Sequence, residues 1–241
     1  MLVISAWFER VVCFALRRWK EKAAAKGNSA SRRIWYHDAT MTLPQPRHHH
    51  TIEEYTRLEL TAVDKHEFHD GEILAMSGGS PEHSLIVANT IREVGVRLKG
   101  KPCRNYDSNL RIRVPNSRHY LYPDSSIFCA PLEYDPEDPT RQSVTNPRII
   151  IEVLSPTTEG YDRGEKFAQY RRLESLTEYV LISQSSALVE TYVRREAGAW
   201  LLTPFAGLEA VVALRGVAIE LPLSEIYAGV TFEAGDTPAP L

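Results

Sequence analysis

The stretch Arg148–Tyr170, RIIIEVLSPTTEGYDRGEKFAQY, decides how this chain is read. It opens on the apolar run Ile149-Ile150-Ile151, then sets Glu152 ahead of Val153 and Leu154. A short run rich in β-branched residues and bounded by Pro147 and Pro156 predicts a buried strand. A carboxylate inside such a strand is costly unless it is neutralised, hydrogen-bonded or metal-bound. Upstream, Tyr120–Phe128 (YLYPDSSIF) reads as a second strand and carries Asp124 directly after Pro123. Two strands thus each bring one carboxylate into apolar surroundings. Like charges held close in a low-dielectric site repel, so either one acid is protonated or a cation sits between them.

Working outward, 241 residues suffice for one domain with a sizeable core and some residues left over. The formal net charge of −3 argues against a general, histone-like nucleic-acid binder. It leaves room for an enzyme with a local basic channel. Cys13, Cys103 and Cys129 are odd in number and contain no CxxC, which predicts a reducing, cytoplasmic setting and no zinc site. Residues 1–40 read as an extension. Leu2–Trp19 is apolar, but Glu9 and Arg10 interrupt it, so neither half spans a bilayer. Lys20–Arg33 reads as linker. A domain is expected over 41–235, from a start at Met41, with a tail at 236–241. A protein beginning at Met41 is expected to keep its melting temperature. His48-His49-His50 read as solvated loop histidines or as a loose metal site.

From Thr51 the pattern is regular. Thr51-Ile52-Glu53-Glu54 fits a capping box for a helix running to about Leu60. Asp70-Gly71 within HEFHDGEILA marks a β-hairpin. Ser80-Pro81 opens a helix whose apolar positions Leu85, Ile86, Ile91, Val94 and Leu98 keep a helical period up to Gly100. Short strands follow near Cys103–Tyr106, Leu110–Val114 and Asp124. Asp135–Pro147 reads as a polar loop, and Glu159–Leu173 as a helix. Glu178–Ser183, Leu188–Arg194 and Trp200–Phe205 read as a strand meander. The order predicts an α/β (α+β) fold with a mixed central sheet flanked by helices, not a strictly alternating doubly wound one.

The blocks YPDSSIF, IIIEVLSPTT and YDRGEKFAQYRRLESLTEYVLIS, with Asp70-Gly71-Glu72 and Glu82-His83-Ser84, resemble the bacterial Uma-two family of restriction endonucleases. That family belongs to the PD-(D/E)xK nuclease superfamily, and the likeness spans roughly Thr51–Val193. It implies a restriction-endonuclease-like core with a four-stranded mixed sheet, a divalent ion such as Mg²⁺ or Mn²⁺, and phosphodiester hydrolysis. Carried over by position, Asp124 and Glu152 become metal ligands, with the Val153 carbonyl as a further oxygen. Such a sparse set suits Mg²⁺, which takes one or two carboxylates and keeps room for water and phosphate. Without the motif block, the same two acids could be buried groups that each found a hydrogen-bond partner.

One position departs from the pattern: the superfamily's lysine belongs two residues after the acid, where this chain has Leu154. The resemblance suggests that Lys166 takes its place. Asp162, Lys166 and Tyr170 are spaced i, i+4, i+8 and share one helix face. A surface Asp162–Lys166 pair worth about 0.2–0.5 kcal/mol is the plainer alternative. The resemblance also places His83 near the site, against a capping or packing role, and Glu72 and Glu82 are acids that read either as a further ligand or as exposed surface glutamates. The basic run Arg92, Arg97, Lys99, Lys101, Arg104, Arg111, Arg113 and Arg118 lines a nucleic-acid channel or a solvated face. Three functions stay open: a metal-dependent DNA endonuclease, as a homodimer where both strands are cut; a nuclease fold kept as a nucleic-acid or protein-binding module; and a hydrolase of RNA or another phosphodiester.

Overall fold

A computed structural model describes residues 49–76 and 78–232. The chain divides into two units at Pro46/Arg47, and every described residue lies in the second. The expected extension over 1–40, the start at Met41, the tail at 236–241 and His48 lie outside the described residues.

Each local signal has a physical counterpart. Helix α1 (Ile52–Glu59) starts on the capping box: Thr51 Oγ1 accepts the Glu54 N–H at 3.1 Å, and the Glu54 carboxylate accepts the Thr51 N–H at 2.9 Å. Strands β1 (His66–His69) and β2 (Glu72–Ala75) form a hairpin. Its turn needs Asp70 at φ 47° and Gly71 at φ 101°, the left-handed pair that Asp-Gly supplies. A Cβ at Gly71 would also meet the His49 ring at 2.7 Å. His49 Nδ1 donates to the Asp70 carbonyl at 3.2 Å, and the His50 N–H donates to Gly71 O at 2.8 Å, so this pair braces the hairpin turn. Helix α2 (Pro81–Leu98) begins with Pro81 at its first position, and Ser80 Oγ accepts the His83 N–H at 3.1 Å.

The remaining strands are β3 (Arg104–Asp107), β4 (Arg111–Val114), β5 (His119–Leu121), β6 (Ser125–Phe128), β7 (Ser143–Val144), β8 (Ile149–Leu154), β9 (Glu178–Ser183), β10 (Leu188–Arg194), β11 (Trp200–Ala206), β12 (Val211–Leu214) and β13 (Ile219–Pro222). Helix α3 joins Glu159–Tyr161, a π-helical turn Asp162–Lys166 and Phe167–Tyr170; α4 is the short turn Leu223–Ile226. The central sheet runs β11-β10-β9-β8-β6-β3. Its β8–β9 pair is parallel and the others are antiparallel, so it is mixed, as the sequence predicts. It exceeds the four strands implied by the family resemblance because β10 and β11 continue it. A second sheet runs β2-β1-β5-β4-β7, and β12–β13 form a hairpin.

Strand β8 is buried along its whole length. Its alternation divides the core. Ile149, Ile151 and Val153 pack with α2, β12, β13 and α4, whereas Ile150 and Leu154 pack with Phe167, Tyr170 and Tyr179. Glu152 shares the parity of Ile150 and Leu154 and so faces α3. Leu154 is thus a core residue where the superfamily pattern puts a lysine.

Three expectations need correction. The single strand expected over Tyr120–Phe128 is two strands in different sheets, β5 in the second sheet and β6 in the central one, with the chain turning between them at residues 122–124. Cys103 and Cys129, read from their spacing as a sign of a reducing setting, form a disulfide. The β3–β6 register pairs Arg104 with Phe128, which puts the flanking cysteines opposite each other, and linear spacing does not reveal that. The loop Asp135–Pro147 is also not simply polar and solvated: Asp135, Asp138 and Ser143 are buried. Asp138 pairs with Arg111 at 3.0 Å, and Arg113 reaches Glu137 at 2.8 Å, so these two arginines are interior cross-links of the second sheet.

Glu178 offers a stability test. It opens β9, is fully buried, and accepts the Gly216 N–H at 2.9 Å, pinning the β12–β13 turn. Burial pushes its carboxyl up to about 7, against the backbone N–H groups of Gly216 and Arg215. The folded acid therefore holds its proton where the unfolded one loses it. Its contribution is fully present below pH 4.5 and is lost as pH rises to about 7, at a cost of about 3 kcal/mol. Glu178→Gln is expected to raise the melting temperature relative to wild type at pH 8 and to leave it unchanged at pH 4.5. An equal shift at both pH values in a thermal melt would contradict this.

Candidate active site

The register of β6 against β8 builds the centre of the site. Ser125 pairs with Ile151, so Asp124, one residue before β6, comes opposite Glu152. The Asp124 N–H donates to Glu152 Oε2 at 3.2 Å, and the Val153 N–H donates to Asp124 Oδ2 at 2.7 Å. From the first turn of α2, His83 Nε2 reaches Asp124 Oδ2 at 3.3 Å. The π-helical turn of α3 brings in Asp162 and Lys166, both buried. Such turns commonly occur at functional sites, since they re-aim side chains that a regular helix would stagger. Lys166 Nζ lies 2.9 Å from Glu152 Oε1 and 3.7 Å from Asp162 Oδ1, and it donates to the Tyr122 carbonyl at 3.2 Å. Tyr170 OH donates to Glu152 Oε1 at 3.2 Å.

These groups meet in a cleft of about 520 Å³. Asp124, Glu152, Val153, His83, Asp162 and Lys166 line it, and Tyr170 supports Glu152 from the buried side. Glu72 lies on β2 opposite His69 and is not among the lining residues; neither is the exposed Glu82. Among the described residues, Lys166 is the sole lysine or arginine lining the cleft, so the run Arg92–Arg118 does not furnish its walls. Arg92 and Arg97 pair instead with Glu93.

Glu67 is the residue that sequence reasoning missed. It sits on β1, 6% exposed, with Oε1 3.2 Å from Lys166 Nζ. Tyr161, which also lines the cleft, donates its hydroxyl to Glu67 Oε2 at 3.0 Å. An acid on a four-residue strand between His66 and Phe68 is a weak signal, because ordinary solvent-facing positions look the same.

The electrostatics are lopsided: Glu67, Asp124, Glu152 and Asp162 face Lys166 and His83. Burial raises Glu152 well above the usual carboxylate range, and Lys166 offsets this only in part. Burial likewise raises Asp162. Burial works against the Lys166 cation, but Glu152 and Glu67 outweigh it and hold its pKa above the usual lysine range. Burial would raise Glu67 too, yet Lys166, His69 and the Tyr122 N–H keep it ionised, at about 2. His83 is raised, chiefly by its hydrogen bond to Asp124, with burial opposing. Among the described residues no three His, Cys, Asp or Glu side chains form a ready-made metal cage. The donor set still fits a hard, oxygen-seeking divalent ion that takes two carboxylates and a carbonyl and completes its shell with water. A cation between Asp124 and Glu152 would favour the ionised form of Glu152 that burial disfavours.

The family model Uma2, described as "Putative restriction endonuclease", matches residues 52–224. The chain belongs to the Uma2 family. Two relatives come from Synechocystis sp.: the uncharacterized protein slr1290 is 35% identical over 181 residues, covering 75% of this chain and 92% of that protein. The uncharacterized protein sll1609 is 33% identical over 162 residues, covering 67% and 90%. The Uma2 fold also matches a crystal structure described as a putative nuclease belonging to DUF820 from Anabaena variabilis. The TM-score is 0.59 at 17% identity, over 73% of this chain and 99% of that one. That likeness shows that the two chains share a fold. No helix among the described residues of this Uma2 chain is long and apolar enough to cross a membrane.

Proposed function

We propose that this chain is a divalent-metal-dependent endonuclease that hydrolyses DNA phosphodiester bonds. The observation that carries the proposal is the convergence of Asp124, Glu152 and Lys166, with Lys166 Nζ 2.9 Å from Glu152 Oε1, in a cleft open to solvent. The Uma2 family description supports the reaction class.

Asp124, Glu152 and the Val153 carbonyl would hold Mg²⁺ or Mn²⁺. The ion would supply Lewis-acid polarisation of a phosphoryl oxygen and a nucleophile at neutral pH. The chain's own residues do the rest. The Val153 N–H and His83 fix the orientation of Asp124. Tyr170 fixes Glu152. The buried Lys166 ammonium presents a preorganised positive charge to the negative charge that builds on the phosphorane. Because Lys166 reaches Glu152 from α3, Leu154 leaves the site with its cation, which weighs against the binding-module reading.

The test is incubation of closed circular plasmid and of single-stranded RNA with the protein and Mg²⁺ or Mn²⁺. Divalent-dependent cutting of DNA, blocked by a chelator, is the expected outcome. Cutting of RNA alone would move the substrate to the third reading. Cutting of neither, with tight DNA binding, would favour the binding module. If both strands of a duplex are cut together, two copies acting as a homodimer account for it, and sedimentation would read a dimer.

A further inference from the structure

Of the four acids around the cleft, Glu67 carries the most partners, two on each oxygen, whereas Glu152 has Lys166 and Tyr170 on Oε1 and the Asp124 N–H alone on Oε2. Glu67 Oε1 accepts the Tyr122 N–H at 3.0 Å and lies 3.2 Å from Lys166 Nζ. Its Oε2 accepts the Tyr161 hydroxyl at 3.0 Å and stands 3.1 Å from His69 Nε2. His69 and Tyr161 also touch each other, at 2.9 Å from Nε2 to hydroxyl.

Lys166 has three protons to donate. They find Glu152 Oε1, Glu67 Oε1 and the Tyr122 carbonyl at 2.9, 3.2 and 3.2 Å, with Asp162 farther away at 3.7 Å. Two of these three partners, Glu67 and Tyr122, belong to the β1 and β5–β6 side of the cleft and not to the carboxylate pair. When Glu152 engages a cation, Lys166 loses part of one partner. A buried ammonium left unpaired is expensive, and the remaining partners decide where it stays.

We infer that Glu67 is the positioning residue of Lys166: with Tyr161 and His69 behind it, it is the resident counter-ion that holds the ammonium at the cleft while Glu152 serves the metal. This rests on the nuclease reading of the site, and it adds a residue from the second sheet. The catalytic groups of the central sheet then depend on β1, which explains physically why a carboxylate is kept buried in a short hairpin strand.

The test combines kinetics with a signal that needs no turnover. Glu67→Gln keeps the shape of the side chain and can still accept the Tyr122 N–H. It is expected to lower kcat ~10–100-fold, as loss of a supporting partner typically does, with KM for DNA unchanged. In a Lys166→Ala background the same substitution is expected to cost nothing further, within about twofold, because the group it acts through is gone. Glu67→Asp, which restores the charge, is expected to recover part of kcat. Nitrogen-15 NMR of lysine ammonium groups is expected to show a slowly exchanging Lys166 signal in the wild type. Glu67→Gln should lose that signal, whereas Glu165→Gln, altering an exposed acid on the same helix, should keep it. If Glu67→Gln does not fold, Tyr161→Phe loosens the same seat with the buried charge intact and is expected to reduce kcat in the same direction. Wild-type kcat in these variants, an equal further loss in the Lys166→Ala background, or an unaltered ammonium signal would overturn the inference. Absence of cleavage by the wild type would instead strike the nuclease reading, and the ammonium signal would then decide the role of Glu67.

Discussion

Asp124→Asn and Glu152→Gln are each expected to abolish DNA cleavage while the protein stays folded. Asp124 meets Glu152 across the β6–β8 register and takes the Val153 N–H at 2.7 Å. An asparagine oxygen can still accept that bond, so the local backbone keeps its partner. What disappears is the second negative charge that would hold a divalent ion. Glu152→Gln keeps the shape of the side chain and an oxygen for the Asp124 N–H, and Glu67 with the Tyr122 carbonyl still pairs the Lys166 ammonium, so the protein folds at some cost in stability. Loss of several kcal/mol of transition-state stabilisation corresponds to ~10³-fold or more in rate. The assay is plasmid nicking at saturating Mn²⁺, with melting temperatures measured alongside. Cleavage by either variant within tenfold of wild type would remove the carboxylate pair from the mechanism.

Lys166→Ala is the second large effect. The lysine is 5% exposed, and its stem packs inward from α3 while its ammonium sits among Glu152, Glu67 and the Tyr122 carbonyl. Removing a preorganised charge of this kind costs ~10²–10³ in turnover. Divalent affinity is not expected to weaken, since the cation removed competes with the ion for Glu152. Leu154→Lys in the same background carries a qualification from the fold. Leu154 faces the same side of β8 as Glu152 but packs with Ile150, Phe167 and Tyr170. A lysine there is expected to restore part of the rate and to lower the melting temperature. Wild-type turnover by Lys166→Ala would mean that the lysine has not moved to α3, and the binding-module reading would gain most.

The central sheet and its pair of acids were legible because each rests on a local signal. The apolar run of β8 with one carboxylate inside it, Pro123-Asp124 before β6, and the capping motifs at Thr51 and Ser80 all act over a few residues. Lys166 was legible only through the motif resemblance, since an Asp162–Lys166 spacing alone describes countless solvated helices. What stayed hidden depends on contacts distant in sequence. Glu67 reaches Lys166 from another sheet. Arg111 is buried because Asp138, distant in sequence, folds over it. Cys103 finds Cys129 only once β3 and β6 are in register. The hairpin β12–β13 closes the core beneath α2, and its pattern is too short to separate from loop.

The measurement that tests the account most directly is titration calorimetry of Mn²⁺ into the wild type and into Glu152→Gln. The account predicts one divalent site per chain in the wild type and none in the variant, with both proteins folded at the temperature of the titration. No heat of binding in the wild type at millimolar metal, or equal binding in both, would contradict it.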